Sequence, residues 1–131
     1  MIEAAREVRK QVDCTLVLLG NTAVDDPESD LILETIQSSL DESVIVVTVD
    51  DPLLVNALQR QAAVVLQKSI REGFGMTVTE AMWKGAAVVG GNVGGIRQQI
   101  THGFSAGEIV FCDACPRGLH RFGVGYVYMK V

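Results

Sequence analysis

Two carboxylates, Glu72 and Glu80, stand with seven residues between them in the run Arg71-Glu72-Gly73-Phe74-Gly75-Met76-Thr77-Val78-Thr79-Glu80. The Gly-x-Gly turn lacks Cβ atoms at two positions, so backbone N–H groups can approach a ligand closely. A helix that follows adds its own N-terminal donors and the positive end of its dipole. The pattern implies an anion held at the loop. Glu72 falls in the loop and Glu80 about one turn into the helix. The two carboxylates are therefore placed to grip different hydroxyls of one elongated ligand, not to share a proton. A sugar joined to a nucleotide diphosphate has that shape, with hydroxyls at both ends and charge between them.

Alternating elements must position this loop. Apolar residues at Ile2, Ala5, Val8 and Val12 follow helical spacing over Ile2 to Val12, and Cys14 to Gly20 is a short apolar run fit for a strand buried on both faces. A loop over Asn21 to Ser29 leads to an amphipathic helix from Asp30 to Leu40, with Leu31, Leu33, Ile36 and Leu40 inward, and Val44 to Val49 gives a second strand. Asp51 and Pro52 read as the cap and first turn of a helix running to about Gln61. Ala63 to Gln67 is a third strand, Met76 to Trp83 a helix stopped by Gly85, and Ala86 to Gly90 a fourth strand. Asn92-Val93-Gly94-Gly95 makes a second glycine turn before a short helix from Ile96 to Ile100. This order predicts an α/β fold with a doubly wound parallel sheet, whose ligands bind beyond the carboxyl ends of the strands. Both glycine turns fall at that edge. Ile109 to Phe111 reads as one more strand, and residues 112–131 as an irregular tail outside a domain of residues 1–111.

Composition narrows the function. With 131 residues, 48% of them hydrophobic, the chain supports one domain with a real core. The net charge is -5 and the basic residues are scattered, so no basic face marks a nucleic-acid partner. Neither a membrane-length apolar run nor a secretory signal pattern is present, which points to a cytoplasmic protein. Cys14, Cys112 and Cys115 are odd in number and do not form a disulfide framework. Cys112-x-x-Cys115 lacks a second ligand pair, and His102 and His120 stand apart, so no metal is expected and the thiols read as reduced.

With these elements in order, the chain resembles the C-terminal nucleotide-binding domain of family-4 retaining glycosyltransferases, the GT-B architecture of two facing Rossmann-like domains. The run from Gln67 to Gly85, with Val93-Gly94-Gly95-Ile96 beyond it, is closer still to the family's trehalose synthase branch, which joins glucose from a nucleotide sugar to free glucose. The resemblance covers roughly residues 1–105. It implies that Glu72 meets the donor hexose as the catalytic carboxylate, positioning it and stabilising charge, while Gly73, Phe74 and Gly75 line it. Met76 and Thr77 offer amides to the distal phosphate, and Glu80 holds the ribose hydroxyls. No cofactor is implied; the donor is UDP-glucose or ADP-glucose.

Some residues keep two readings. Lys68 reaches phosphate or is an ordinary surface lysine, Gly94 and Gly95 line the site or only permit a tight turn, and Arg71 pairs structurally or with phosphate. The resemblance also implies a fragment. The diphosphate-neutralising Arg and Lys and the N-terminal acceptor domain of the family have no counterpart here, so negligible transferase activity is expected of the chain alone. A sheet short of one strand leaves an unpaired edge, from which a homodimer is expected. Two other functions stay open. One is an interaction module that completes a transferase site in trans. The other is a generic nucleotide-binding domain, weakened because Leu18-Leu19-Gly20-Asn21-Thr22 replaces G-x-G-x-x-G after the first strand.

Overall fold

The computed structural model describes residues 1–20, 34–100, 110–112 and 125–130. The elements are α1 (Ile2–Arg9), β1 (Thr15–Gly20), β2 (Val44–Val47), α2 (Pro52–Gln61), β3 (Val64–Gln67), α3 (Met76–Trp83), β4 (Ala87–Gly91), α4 (Ile96–Gln99), β5 (Val110–Cys112) and β6 (Gly125–Lys130). Residues 34–37 are also helical, while Leu31, Leu33 and the loop before them lie outside the described residues. The strands form one sheet in the order β2-β1-β6-β3-β4-β5. β1 with β2, β3 with β4, and β4 with β5 pair in parallel. β6 runs antiparallel to both of its neighbours, β1 and β3.

Two sequence expectations are corrected here. The sheet is mixed, not wholly parallel, and residues 125–130 are a strand, not irregular tail. The segment Gly125-Tyr126-Val127-Tyr128-Met129-Lys130 has β-forming aromatic and branched residues, but its neighbours in sequence carry no period, which hid it. The premise for self-association changes as well. The gap between β1 and β3 holds β6, and the sheet ends at β2 and β5.

Side chains along β1 and β3 alternate between two apolar layers. Val17, Leu19, Val65, Val78, Ala81, Val88, Ile96 and Ile100 form one core with Leu54, Val55 and Leu58, so α2, α3 and α4 cover that face. Ala5, Cys14, Leu16 and Val44 form the other with Met1, Ile2, Leu18, Val64 and Leu66, so α1 covers the opposite face. α1 is shorter than its apolar spacing suggests. Val8 and Val12 are 40% and 41% exposed, and only the turn around Ala5 is sealed.

α3 forms against mediocre propensity. Thr77, Val78 and Thr79 each cost a few tenths of a kcal/mol relative to alanine in a helix, whereas burying Val78 completely returns about 1.5–3 kcal/mol. Tertiary packing therefore decides the element. It ends where Gly85 N–H donates to the Met82 carbonyl and Ala86 N–H to the Ala81 carbonyl, the paired bonds of a Schellman stop.

Away from the glycine loops, Asp41 ties α1 to the start of β2. Its carboxylate accepts from the Ser43 hydroxyl, from the Ser43 N–H at 2.8 Å and from Arg6 Nε at 3.0 Å. Those Ser43 bonds, then Arg6, lower its pKa from 3.8 to about 2. The group is ionised more readily folded than unfolded. Its contribution is therefore complete above pH 3.8 and is lost as pH falls through about 2. Thermal melts across that window should show a falling Tm that is shallower in Asp41→Asn, a variant already lower at neutral pH. Parallel curves for the two proteins would refute the assignment.

Candidate functional site

β3 ends in Gln67, and the loop that follows carries Lys68, Ser69, Arg71 and Glu72 to the N-terminus of α3. Gln67 is 6% exposed and donates its Nε2 to Ser69 Oγ at 3.0 Å. The Ser69 hydroxyl donates to Glu72 Oε2 at 3.1 Å, and Gln67 Nε2 lies 3.4 Å from the same oxygen. One oxygen of Glu72 is thereby fixed while the carboxylate remains half-buried. Gln67 Oε1 is a buried acceptor with no hydrogen-bond partner among the described residues. A buried acceptor left unmade costs about 1–3 kcal/mol, and a ligand hydroxyl or a water would relieve that cost.

Glu80 is held from the other side. Gln59 of α2 is fully buried and donates Nε2 to Glu80 Oε2 at 2.9 Å, while the Lys84 ammonium donates to Gln59 Oε1. Glu80 is likewise half-buried with one oxygen committed. The two carboxylates have separate supporting networks.

Between them lies the start of α3, whose N-cap is Gly75 with φ 82° and no side-chain cap bond. The Met76 and Thr77 N–H groups have no acceptor one turn back within the helix, and no side chain among the described residues substitutes for it. α2 shows the contrast. There Asp51 accepts from the Leu53 and Leu54 N–H groups at 2.9 and 3.3 Å and seals the end. An uncapped N-terminus beside a glycine turn is the arrangement that receives an anion. Phe74 and Met76, 60% and 65% exposed, stand on either side of Gly75.

The second glycine turn packs backbone against backbone on the first. Gly95 N–H donates to the Gly73 carbonyl at 3.0 Å. A Cβ on Gly94, which sits at φ 46°, would lie 1.8 Å from the Glu72 carbonyl oxygen, and one on Gly95 would lie 2.5 Å from the carbonyl oxygens of Gly73 and Phe74. These glycines therefore shape the loop by letting its partner approach. Gly73 differs: a Cβ there would meet nothing within 4 Å. Gln99 of α4 completes the clamp, donating to the Phe74 carbonyl and accepting from Thr79 Oγ1 at 2.6 Å.

The structure thus brings Glu72, Gly73, Phe74, Gly75, Met76, Thr77, Gly94 and Gly95 together at the carboxyl end of β3, with Glu80 one turn along α3. Lys68 is half-buried and Arg71 exposed, and neither forms an ion pair with a described carboxylate. Trp83, 89% exposed, stays out of the core. Among the described residues no cluster of His, Cys, Asp or Glu is suited to a metal. Among the described residues, no helix is long and apolar enough to cross a membrane. Cys115, His102 and His120 lie outside the described residues.

Sequence reasoning missed Gln59, Gln67, Ser69, Lys84 and Gln99. One signal was available for Gln67, a polar residue closing an apolar strand at its carboxyl end. Gln59 and Gln99 offered none, because an amide on an amphipathic helix reads as solvated until its neighbours are known.

Residues 1–114 match the family model described as glycosyl transferases group 1. The trehalose synthase of Pyrococcus horikoshii is 44% identical over 109 residues, covering 79% of this chain and 26% of its own length. The trehalose synthase of Rubrobacter xylanophilus is 44% identical over 122 residues, 88% of this chain and 28% of its own. The trehalose phosphorylase of Pleurotus pulmonarius is 33% identical over 99 residues, 69% of this chain and 13% of its own. The chain thus spans about a quarter of the length of the synthases it matches.

Proposed function

The chain belongs to the group 1 glycosyl transferases, and from that footing we propose that it holds the donor in a retaining transfer of glucose from a nucleotide sugar, of the trehalose-forming kind. The observation that carries the reading is the pair Glu72 and Glu80. Each has one oxygen fixed by its own network, and they flank an uncapped helix start.

In this reading the distal phosphate of the donor sits on the Met76 and Thr77 amides, where the helix dipole favours negative charge. Glu80 accepts from the ribose hydroxyls. Glu72 accepts from a hexose hydroxyl with the oxygen that Ser69 leaves open, and its charge steadies positive charge developing on the sugar as the bond to phosphate breaks. Gly73 keeps its open Cβ direction free for the hexose, and Lys68 supplies one cation near the phosphates. The finer fold reading belongs with this function: a doubly wound, Rossmann-like domain of a GT-B enzyme, acting in the cytoplasm on UDP-glucose or ADP-glucose.

Glu72→Gln separates hexose from nucleotide. Affinity for UDP-glucose should fall about tenfold, the weight of one charge-assisted hydrogen bond, while affinity for UDP stays within a factor of two or so. Titration calorimetry reads both numbers. Equal losses for the two ligands would remove Glu72 from the hexose.

A further inference from the structure

Val65 and Gln67 are the buried positions of β3, and they share one face of the strand. Val65 belongs to the apolar layer under α2, α3 and α4, so an apolar side chain would suit position 67 as well. An amide stands there instead, and only its nitrogen is used. Nε2 donates to Ser69 Oγ at 3.0 Å and lies 3.4 Å from Glu72 Oε2, while Oε1 has no hydrogen-bond partner among the described residues.

The partners settle which way the amide faces. An ionised carboxylate only accepts, so turning Oε1 towards Glu72 would set two acceptor oxygens against each other. With Nε2 on that side the Ser69 hydroxyl receives one hydrogen bond, and its own proton goes to Glu72 Oε2 at 3.1 Å. The Gln67 amide thereby sets the direction of the Ser69 hydroxyl, and the hydroxyl holds the carboxylate. Both anchors are stiff. Gln67 is registered against Gly90 of β4, and a Cβ on Gly91 would overlap the Ser69 carbonyl oxygen. Serving Glu72 in this way leaves Oε1 unpaired in the apolar layer, where an unmade hydrogen bond costs stability.

We infer that Gln67 is a positioning residue for the hexose end of the donor site: acting through Ser69, it holds one oxygen of Glu72 and leaves the other to a sugar hydroxyl. The inference rests on the donor reading above. It adds that discrimination between a nucleotide sugar and its bare diphosphate is set beneath the carboxylate that touches the sugar, and that the fold gives up stability to set it.

The readout is the hexose gain, the ratio of affinities for a nucleotide sugar and its own diphosphate. Titration calorimetry gives it with UDP-glucose against UDP and with ADP-glucose against ADP. Gln67→Met keeps the length of the side chain and removes both polar atoms. The gain should fall about three- to tenfold, diphosphate affinity should change by no more than about a factor of two, and Tm should hold or rise. A purely structural glutamine would give the reverse, a lower Tm with the gain intact. In the Glu72→Gln background, Gln67→Met should lower the gain by no more than about a factor of two, because both changes remove one effect. Ser69→Ala breaks the link at its other end and should lower the gain about threefold or more, which reads the same point should Gln67→Met not fold.

A gain that Glu72→Gln removes but Gln67→Met and Ser69→Ala leave intact would overturn the inference while the donor reading stands. Losses from Gln67→Met and Glu72→Gln that multiply would also overturn it, since Gln67 would then act by a route other than Glu72. No hexose gain in the unsubstituted chain would overturn the donor reading and this inference with it.

Discussion

Gly94→Ala should lower stability by about 3 kcal/mol, whereas Gly73→Ala, in the same site, should leave stability within about 1 kcal/mol. Two terms add at Gly94. The backbone sits at φ 46°, where an L-residue costs roughly 1–2 kcal/mol, and the new Cβ would overlap the Glu72 carbonyl oxygen at 1.8 Å. Backbone cannot swing aside as a flexible side chain can, so the two turns must part, and overpacking of this kind costs about 1–3 kcal/mol. At Gly73 a Cβ meets nothing within 4 Å. For a chain of this size the Gly94 loss corresponds to a fall in Tm of roughly 10–15 °C. Gly73→Ala gives the complementary result, a normal Tm with weakened binding of UDP-glucose, because its Cβ would enter space kept for the hexose. Urea midpoints and titrations on the two variants decide the matter. A stable Gly94→Ala would show that the turns do not need that close approach.

Removing Glu80 should weaken nucleotide binding with or without the sugar. Bonds from two ribose hydroxyls to one carboxylate are worth about 1.5–3 kcal/mol each, so a loss of roughly 10–100-fold for UDP and UDP-glucose alike is expected even with partial compensation by water. The choice of substitution matters. Glu80→Ala also strips the fully buried Gln59 Nε2 of its acceptor, which costs about 1–3 kcal/mol of stability, and releases the Lys84 contact that runs through Gln59. Glu80→Gln keeps an acceptor for Gln59 and removes the charge, so affinity should fall while the melting curve holds. Together with Glu72→Gln, which should affect only the sugar-bearing ligand, this assigns the two ends of the donor. Loss of affinity for UDP-glucose alone in Glu80→Gln would reverse that assignment.

Much of this was legible in the sequence because the signals were local. Pro52 after a capping Asp51 set the start of α2, Gly85 set the end of α3, and the glycine loop between Gln67 and Met76 marked the turn from β3 into α3. What was not legible depends on contacts distant in the chain. β6 is specified by the gap between β1 and β3, more than fifty residues upstream, and not by any periodicity around Gly125. The networks through Gln59 and Gln99 join residues 21 and 20 positions apart, and an amide carries no sign of its partner. Gly94 and Gly95 read equally as turn residues or ligand-lining ones. The close approach of the Glu72, Gly73 and Phe74 carbonyl oxygens assigns them a shaping role in the turn.

The proposed function requires that the Glu72 to Glu80 segment form a donor site for a nucleotide sugar. Titration of the unsubstituted chain with UDP-glucose and ADP-glucose, alongside UDP, ADP and free glucose, tests it most directly. One-to-one saturable binding of at least one nucleotide sugar, tighter than its own diphosphate and far tighter than glucose, is the predicted result. No saturable heat with either nucleotide sugar at millimolar concentration, or binding of the diphosphates with no gain from the attached glucose, would contradict it.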